Sequence, residues 1–196
     1  DVWTKEVFAN FMAAKIVNPS FPEVNHDLNF LIRHFPSAYV VDRTEGANPI
    51  RQDLQNLNEA GTLYGNIIYN KAPIMMQQLE TLTGEAEFRA GMREYLATFA
   101  YGNATWPDLI GILERKTEVD LRSWSEVWVN TPGRPHFLLE ESAGNTGLRQ
   151  VDPTGKSRIW PQQFSVSERI EGSWRLDSVE SGQSEIAVFD SEASAG

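Results

Sequence analysis

The chain has 196 residues, enough for one large domain or two small ones with a sizeable core. Hydrophobic residues make up 41% and charged residues 22%, a soluble globular composition that excludes the disordered, collagenous and coiled-coil classes. Lys and Arg number 17 against 27 Asp and Glu, a formal net charge of −10. No local basic patch offsets it, so no nucleic-acid partner is expected.

Apolar stretches such as Ile67-Ile68-Tyr69 and Phe137-Leu138-Leu139 fall far below the roughly 18 residues of a membrane span. No cysteine is present, which removes disulfides, thiolate nucleophiles and Cys-ligated zinc and leaves the compartment unassigned. The three histidines, His26, His34 and His136, form no His-Glu-x-x-His pair. The first residue is Asp1, inside a helical pattern, and the sequence is expected to be a piece of something longer.

From Glu6 to about Asn130 the apolar positions recur mostly at helical spacing. Val24, Leu28, Leu31, Ile32 and Phe35 share one helical face, and Phe88, Met92, Tyr95, Leu96 and Phe99 repeat the same offsets. The second set follows a start signal in Thr83 with acidic Glu85 and Glu87. The segment from Phe35 to Asn58 holds Pro36, Gly46 and Pro49 and reads as a long irregular connection. Thr105 is the expected N-cap of a helix with Pro107 and Asp108 in its first turn, and Asp120 that of a helix whose face is Leu121, Trp124, Val127 and Trp128. Aromatic stripes at this spacing are read as core.

Thr131-Pro132-Gly133-Arg134-Pro135 stops the last helix and sets the expected domain boundary. Runs with strand character follow at Phe137 to Glu140, Leu148 to Val151, Arg158 to Val166, Trp174 to Val179 and Glu185 to Phe189. Asp152-Pro153-Thr154-Gly155, Glu171-Gly172-Ser173 and Ser181-Gly182 supply turn chemistry between them. Small polar residues from Ser191 to Gly196 suggest a frayed tail. The expectation is an α+β chain, mainly helical over residues 1–135, with a small antiparallel β-sandwich-like module over 136–196.

Trp3-Thr4-Lys5-Glu6-Val7-Phe8-Ala9 resembles the Trp-x-x-Glu-Gly-Phe-Ala signature of the gluzincin zinc aminopeptidases, the family of membrane alanyl aminopeptidase. Downstream, Ile68-Tyr69-Asn70-Lys71-Ala72 resembles the family's Ile-x-Tyr-x-Lys-Gly-Ala, 63 residues from Glu6 to Tyr69. Met92, Tyr95-Leu96, Phe99, Asn103-Ala104-Thr105 and Asp108-Leu109 are similar to its helical stretch after the active site, and Trp128 with Gly133-Arg134-Pro135 to its exit into a β-sandwich domain. The match covers residues 3 to about 135, and more thinly Val151 to Trp160-Pro161.

The resemblance implies a thermolysin-like C-terminal helical subdomain, with Glu6 as the third zinc ligand and Tyr69 as the hydroxyl that polarises the substrate carbonyl. It implies Zn2+ as cofactor and peptides as substrates. The family's His-Glu-x-x-His, with two ligands and the general base, lies upstream of that glutamate, and only five residues precede Glu6. The remainder of a parent chain would therefore be the partner, and the isolated chain is expected to be inactive. His26, His34 and His136 match no family ligand and are expected to be surface or capping groups. Tyr64 competes with Tyr69 for the electrophile role, but Lys71 follows Tyr69 at the family spacing.

Val7 stands where the family has glycine, and Ala72-Pro73 where it has Gly-Ala. These departures motivate a second reading, a non-catalytic peptide-binding or scaffold module derived from such an enzyme. A helical repeat scaffold without ancestral chemistry is a third, and it predicts that Glu6 and Tyr69 do not cluster.

Overall fold

Trp3, Val7 and Phe11 recur every four residues and are buried, so the first helix, α1 (Val2–Val17), lays one apolar stripe inward. A short 3-10 turn (Asn18–Ser20) leads to α2 (His26–Asp42), whose first turn is capped by the Asn25 side chain accepting from the Leu28 amide at 3.0 Å. A π-helical turn (Ile67–Lys71) runs directly into α3 (Ala72–Thr83), followed by α4 (Glu85–Thr98), α5 (Trp106–Glu114) and α6 (Leu121–Trp128). This computed structural model describes residues 1–54, 56, 58, 61, 64–142, 145–170, 173–181 and 186–189.

The chain divides into two units, Asp1–Gly133 and Arg134–Gly196. In the first, the core gathers Leu79, Phe88, Trp106, Leu109, Leu113, Leu121, Trp124 and Val129, all nearly inaccessible. Full burial of each such side chain is worth roughly 1.5–3 kcal/mol. Trp3 packs on Trp106 with centroids 4.9 Å apart, and Phe11 meets Phe88 edge-on at 5.9 Å. These contacts hold α1 across α4 and α5. The capping box on α5 forms as expected, the Thr105 amide and hydroxyl donating to Asp108 at 2.8 and 2.6 Å. Asp120 caps α6, accepting from the Ser123 amide at 2.9 Å.

In the second unit, β1 (His136–Ser142), β2 (Asn145–Val151) and β5 (Ile186–Phe189) form one antiparallel sheet in the order β1-β2-β5. Strands β3 (Gln162–Ile170) and β4 (Ser173–Ser181) form a second antiparallel pair, with Phe164 opposite Val179. The fold is α+β, mainly helical, with small antiparallel sheets.

Four expectations need correcting. Pro36 does not end its helix: α2 continues through it to Asp42. The part of the helix after it is held by tertiary contacts, Ala38 and Asp42 being buried, and these outweigh the one missing amide. Thr83 is the last residue of α3 rather than a cap. Gly84, at φ +86°, breaks the helix, and the Thr83 hydroxyl donates back to the Leu79 carbonyl at 2.8 Å. Arg158–Pro161 lie outside β3, in the loop ordered by Asp152. The apolar face of α2 exists but is uncovered: Leu28, Leu31 and Ile32 are 49%, 49% and 65% exposed. Leu96 on α4 is likewise exposed. The turn at Glu171-Gly172 and the tail from Ser191 lie outside the described residues.

Candidate functional site

Glu6 sits on α1 between the buried Trp3 and Val7, which fix the helix face and leave its carboxylate on the flank, 29% exposed. Lys5, exposed beside it, comes within 3.5 Å of that carboxylate. Across from α1 lies the π-helical turn. Ile67, Ile68, Lys71 and Ala72 are buried there while Tyr69 is 39% exposed, so the wide turn pushes one tyrosine out of an otherwise buried segment. The Tyr69 phenol lies near enough to Glu6 to feel its negative charge. Tyr64 stacks on the Tyr69 ring, centroids 6.0 Å apart and planes at 22°, with Lys5 close by. Residues 63 positions apart in sequence thus share one surface.

Desolvation raises the Tyr69 phenol above its ordinary pKa, and the negative charge of Glu6 adds to the effect. Its hydroxyl therefore keeps its proton at neutral pH and is available as a donor.

Two sets of contacts hold this turn in place. Lys71 runs inward, its ammonium 2.8 Å from Asp42 Oδ1 and 3.0 Å from the Gly133 carbonyl oxygen, and the Gly133 amide donates to the same Asp42 oxygen at 3.0 Å. The end of α2, the π turn and the chain after α6 are thereby tied at one point. From the other side, His34 Nδ1 lies 3.2 Å from Asn70 Oδ1, and the Asn70 amide donates to Asn66 Oδ1 at 3.0 Å. Pro73, in the first turn of α3, has no backbone amide to donate. Burial of the ring holds the His34 pKa below the usual value.

Sequence reasoning placed His34 among the surface or capping histidines; it is half-buried and braces the turn that carries Tyr69. The distance of 36 residues between His34 and Asn70 left no local signal. His26 does act at its helix start, its Nε2 2.8 Å from the Phe21 carbonyl oxygen, and His136 opens β1. The two departures from the family pattern are absorbed: Val7 is 1% exposed in the core, and Pro73 occupies a helix start where proline is tolerated.

Glu6 is the right type of donor for one position of a catalytic zinc site, a hard carboxylate open to solvent, where three protein ligands are the rule. Among the described residues no group of three His, Asp or Glu side chains gathers to hold a metal ion. Among them, too, no helix is long and apolar enough to cross a membrane.

An acidic helix flank beside a protonated tyrosine, braced from behind, is the arrangement the sequence motifs lead one to expect. Residues 1–128 match the Peptidase family M1 domain. The chain is 30% identical over 191 residues to aminopeptidase N of Streptomyces lividans, covering 90% of this chain and 22% of that protein. It is 31% identical over 153 residues to puromycin-sensitive aminopeptidase of Caenorhabditis elegans (78% and 16%), and 29% over 150 residues to leucyl aminopeptidase of Saccharolobus solfataricus (76% and 19%). The chain belongs to the M1 peptidase family, a family of zinc metallopeptidases. It spans about a fifth of the length of these curated relatives.

Proposed function

We propose that this chain is part of a zinc aminopeptidase that removes N-terminal residues from peptides, contributing Glu6 as one metal ligand and the Tyr69 hydroxyl as the donor to the scissile carbonyl oxygen. The observation that carries this reading is the facing pair, a solvent-open carboxylate on α1 against a protonated phenol on the π turn. Family membership and the names of the relatives support it.

Bound zinc would supply Lewis acidity and a water acidified for attack. The chain's own residues do the rest of its share. Glu6 offers a fixed negative charge. Tyr69 donates a hydrogen bond toward the oxygen on which charge builds during attack, and Lys71, Asp42 and His34 fix where that hydroxyl stands. Two histidine ligands and a general base would come from the rest of the parent chain, so residues 1–196 alone are expected to hydrolyse nothing. Peptides and the remainder of the parent are the partners this implies.

Residue Glu6 is tested in the whole protein: Glu6→Gln should lose bound zinc and peptidase activity together, while retained zinc and activity would refute the assignment. The alternative of a non-catalytic module rested on Val7 and Ala72-Pro73. With both accommodated in buried or helix-start positions, it has no separate observation in its favour.

A further inference from the structure

Beside Tyr69 the surface opens into a cleft of about 500 Å3 between α1 and α2, a size that holds a small ligand or a short peptide. Asn10, Ala14 and Val17 form one wall, Arg33 and His34 the other, and Tyr69 stands in it as well. Glu6 lies one helical turn before Asn10, so the cleft leads away from the facing pair toward the end of α1.

Two features say what it would take. An enzyme that removes an N-terminal residue has a single residue on the amino side of the scissile bond, so a cleft that runs along α1 for more than the length of one side chain suits the remainder of the peptide. Along α1, the seven steps from Asn10 to Val17 rise about 10 Å, the length of roughly three extended residues. The second feature is charge. In a chain of net charge −10, no acidic side chain lines this cleft among the described residues, and it holds one arginine. Arg33 is exposed and forms no ion pair among those residues. By contrast Lys15, further along α1, is paired with Glu80 at 2.6 Å.

We propose that this cleft binds the leaving part of the substrate peptide and that Arg33 pairs there with a carboxylate, either the C-terminus of a short peptide or an acidic side chain within the first few residues after the cleaved bond. A guanidinium presents paired donors that match a carboxylate. The inference rests on Tyr69 marking the scissile carbonyl.

The test uses the full-length parent enzyme with one single-residue probe and two pairs of peptides. A p-nitroanilide of a single amino acid asks whether the enzyme is an aminopeptidase at all; no hydrolysis by the wild type would sink the proposed function itself. A tripeptide with a free C-terminus is compared with its amide, and a longer amidated peptide carrying Glu two residues after the cleaved bond is compared with its Gln counterpart. The wild type should prefer the carboxylate form in at least one pair by roughly three- to tenfold in kcat/KM, chiefly through KM. The pair that shows the preference identifies the carboxylate's source. Arg33→Ala should erase that ratio, Arg33→Lys keep part of it, and Arg33→Glu reverse it. Because each readout is a ratio within one enzyme preparation, partial misfolding cannot mimic the result. A wild type that cleaves the p-nitroanilide yet shows no preference in either pair, or a preference that persists in Arg33→Ala, overturns the proposal.

Discussion

The Lys71 ammonium and the Asp42 carboxylate lie 2.8 Å apart with side chains only 3% and 2% exposed. Charges this deep are tolerated because each has further partners in the Gly133 backbone. Removing one member strands the other, at a cost of about 3–5 kcal/mol. Lys71→Met should therefore lower unfolding stability by that order, with Asp42→Leu recovering part of the loss in the double variant, read from urea denaturation of the intact protein. A loss under about 1 kcal/mol for Lys71→Met would mean the pair does not brace the turn.

The Tyr69 hydroxyl can be removed with the ring left in place. Tyr69→Phe keeps the stacking on Tyr64 and removes only the donor. In the parent enzyme this should lower kcat by about 100- to 1,000-fold, the usual loss for one such donor, with KM and zinc content little changed. If kcat stays within a factor of three, the hydroxyl has no role in the reaction.

His34 gives a pH signature. Its pKa is held down in the fold by burial, so on acidification the unfolded chain takes up the proton first. The stability it contributes is complete above about pH 6.5, the unfolded value, and is lost as pH falls through the lower folded value. Wild-type stability should decline more steeply between pH 7 and 5 than that of His34→Gln. Equal slopes in thermal unfolding would remove His34 from this account.

In the second unit, Asp152 accepts from the Thr154 amide at 2.9 Å and from the Arg158 amide and guanidinium, both at 3.0 Å. Burial by itself would raise this carboxyl, but the hydrogen bonds from Arg158 and Thr154 prevail and hold it well below the usual range. The stability from this group is present above the unfolded value of 3.8 and is lost as pH falls toward the folded one. Asp152→Asn should cost about 1–3 kcal/mol at pH 7, with the gap to wild type closing below pH 3.8. A pH-independent gap would assign the effect to shape rather than charge.

What could be read from the sequence was what local chemistry decides. Thr105 with Asp108 and Asp120 with Ser123 cap their helices because the partners lie three residues apart, and the motif order around Glu6 and Tyr69 pointed to the family. Contacts made at long range left no such trace. Lys71 appeared only as a motif letter, since Asp42 lies 29 residues away, and His34 was set aside for the same reason. Pro36 was misread because the burial of Ala38 and Asp42, which a local pattern does not encode, keeps α2 going. Periodicity found the apolar face of α2 correctly, but a repeat says that a face exists and nothing about what covers it. Such exposed patches often mark a place where another surface docks.

The π turn has a consequence for how the two halves of its helix can evolve. The wide turn at Ile67–Lys71 holds about one residue more than an α-helical turn, so it takes up an extra residue and leaves the segments on either side in phase. Deleting one residue there would let a regular helix form with Met75, Met76 and Leu79 still facing the core, at the cost of the outward bulge that presents Tyr69. The stretch can thus lose its extra residue without unpacking α3, and what would be lost is the placement of one hydroxyl.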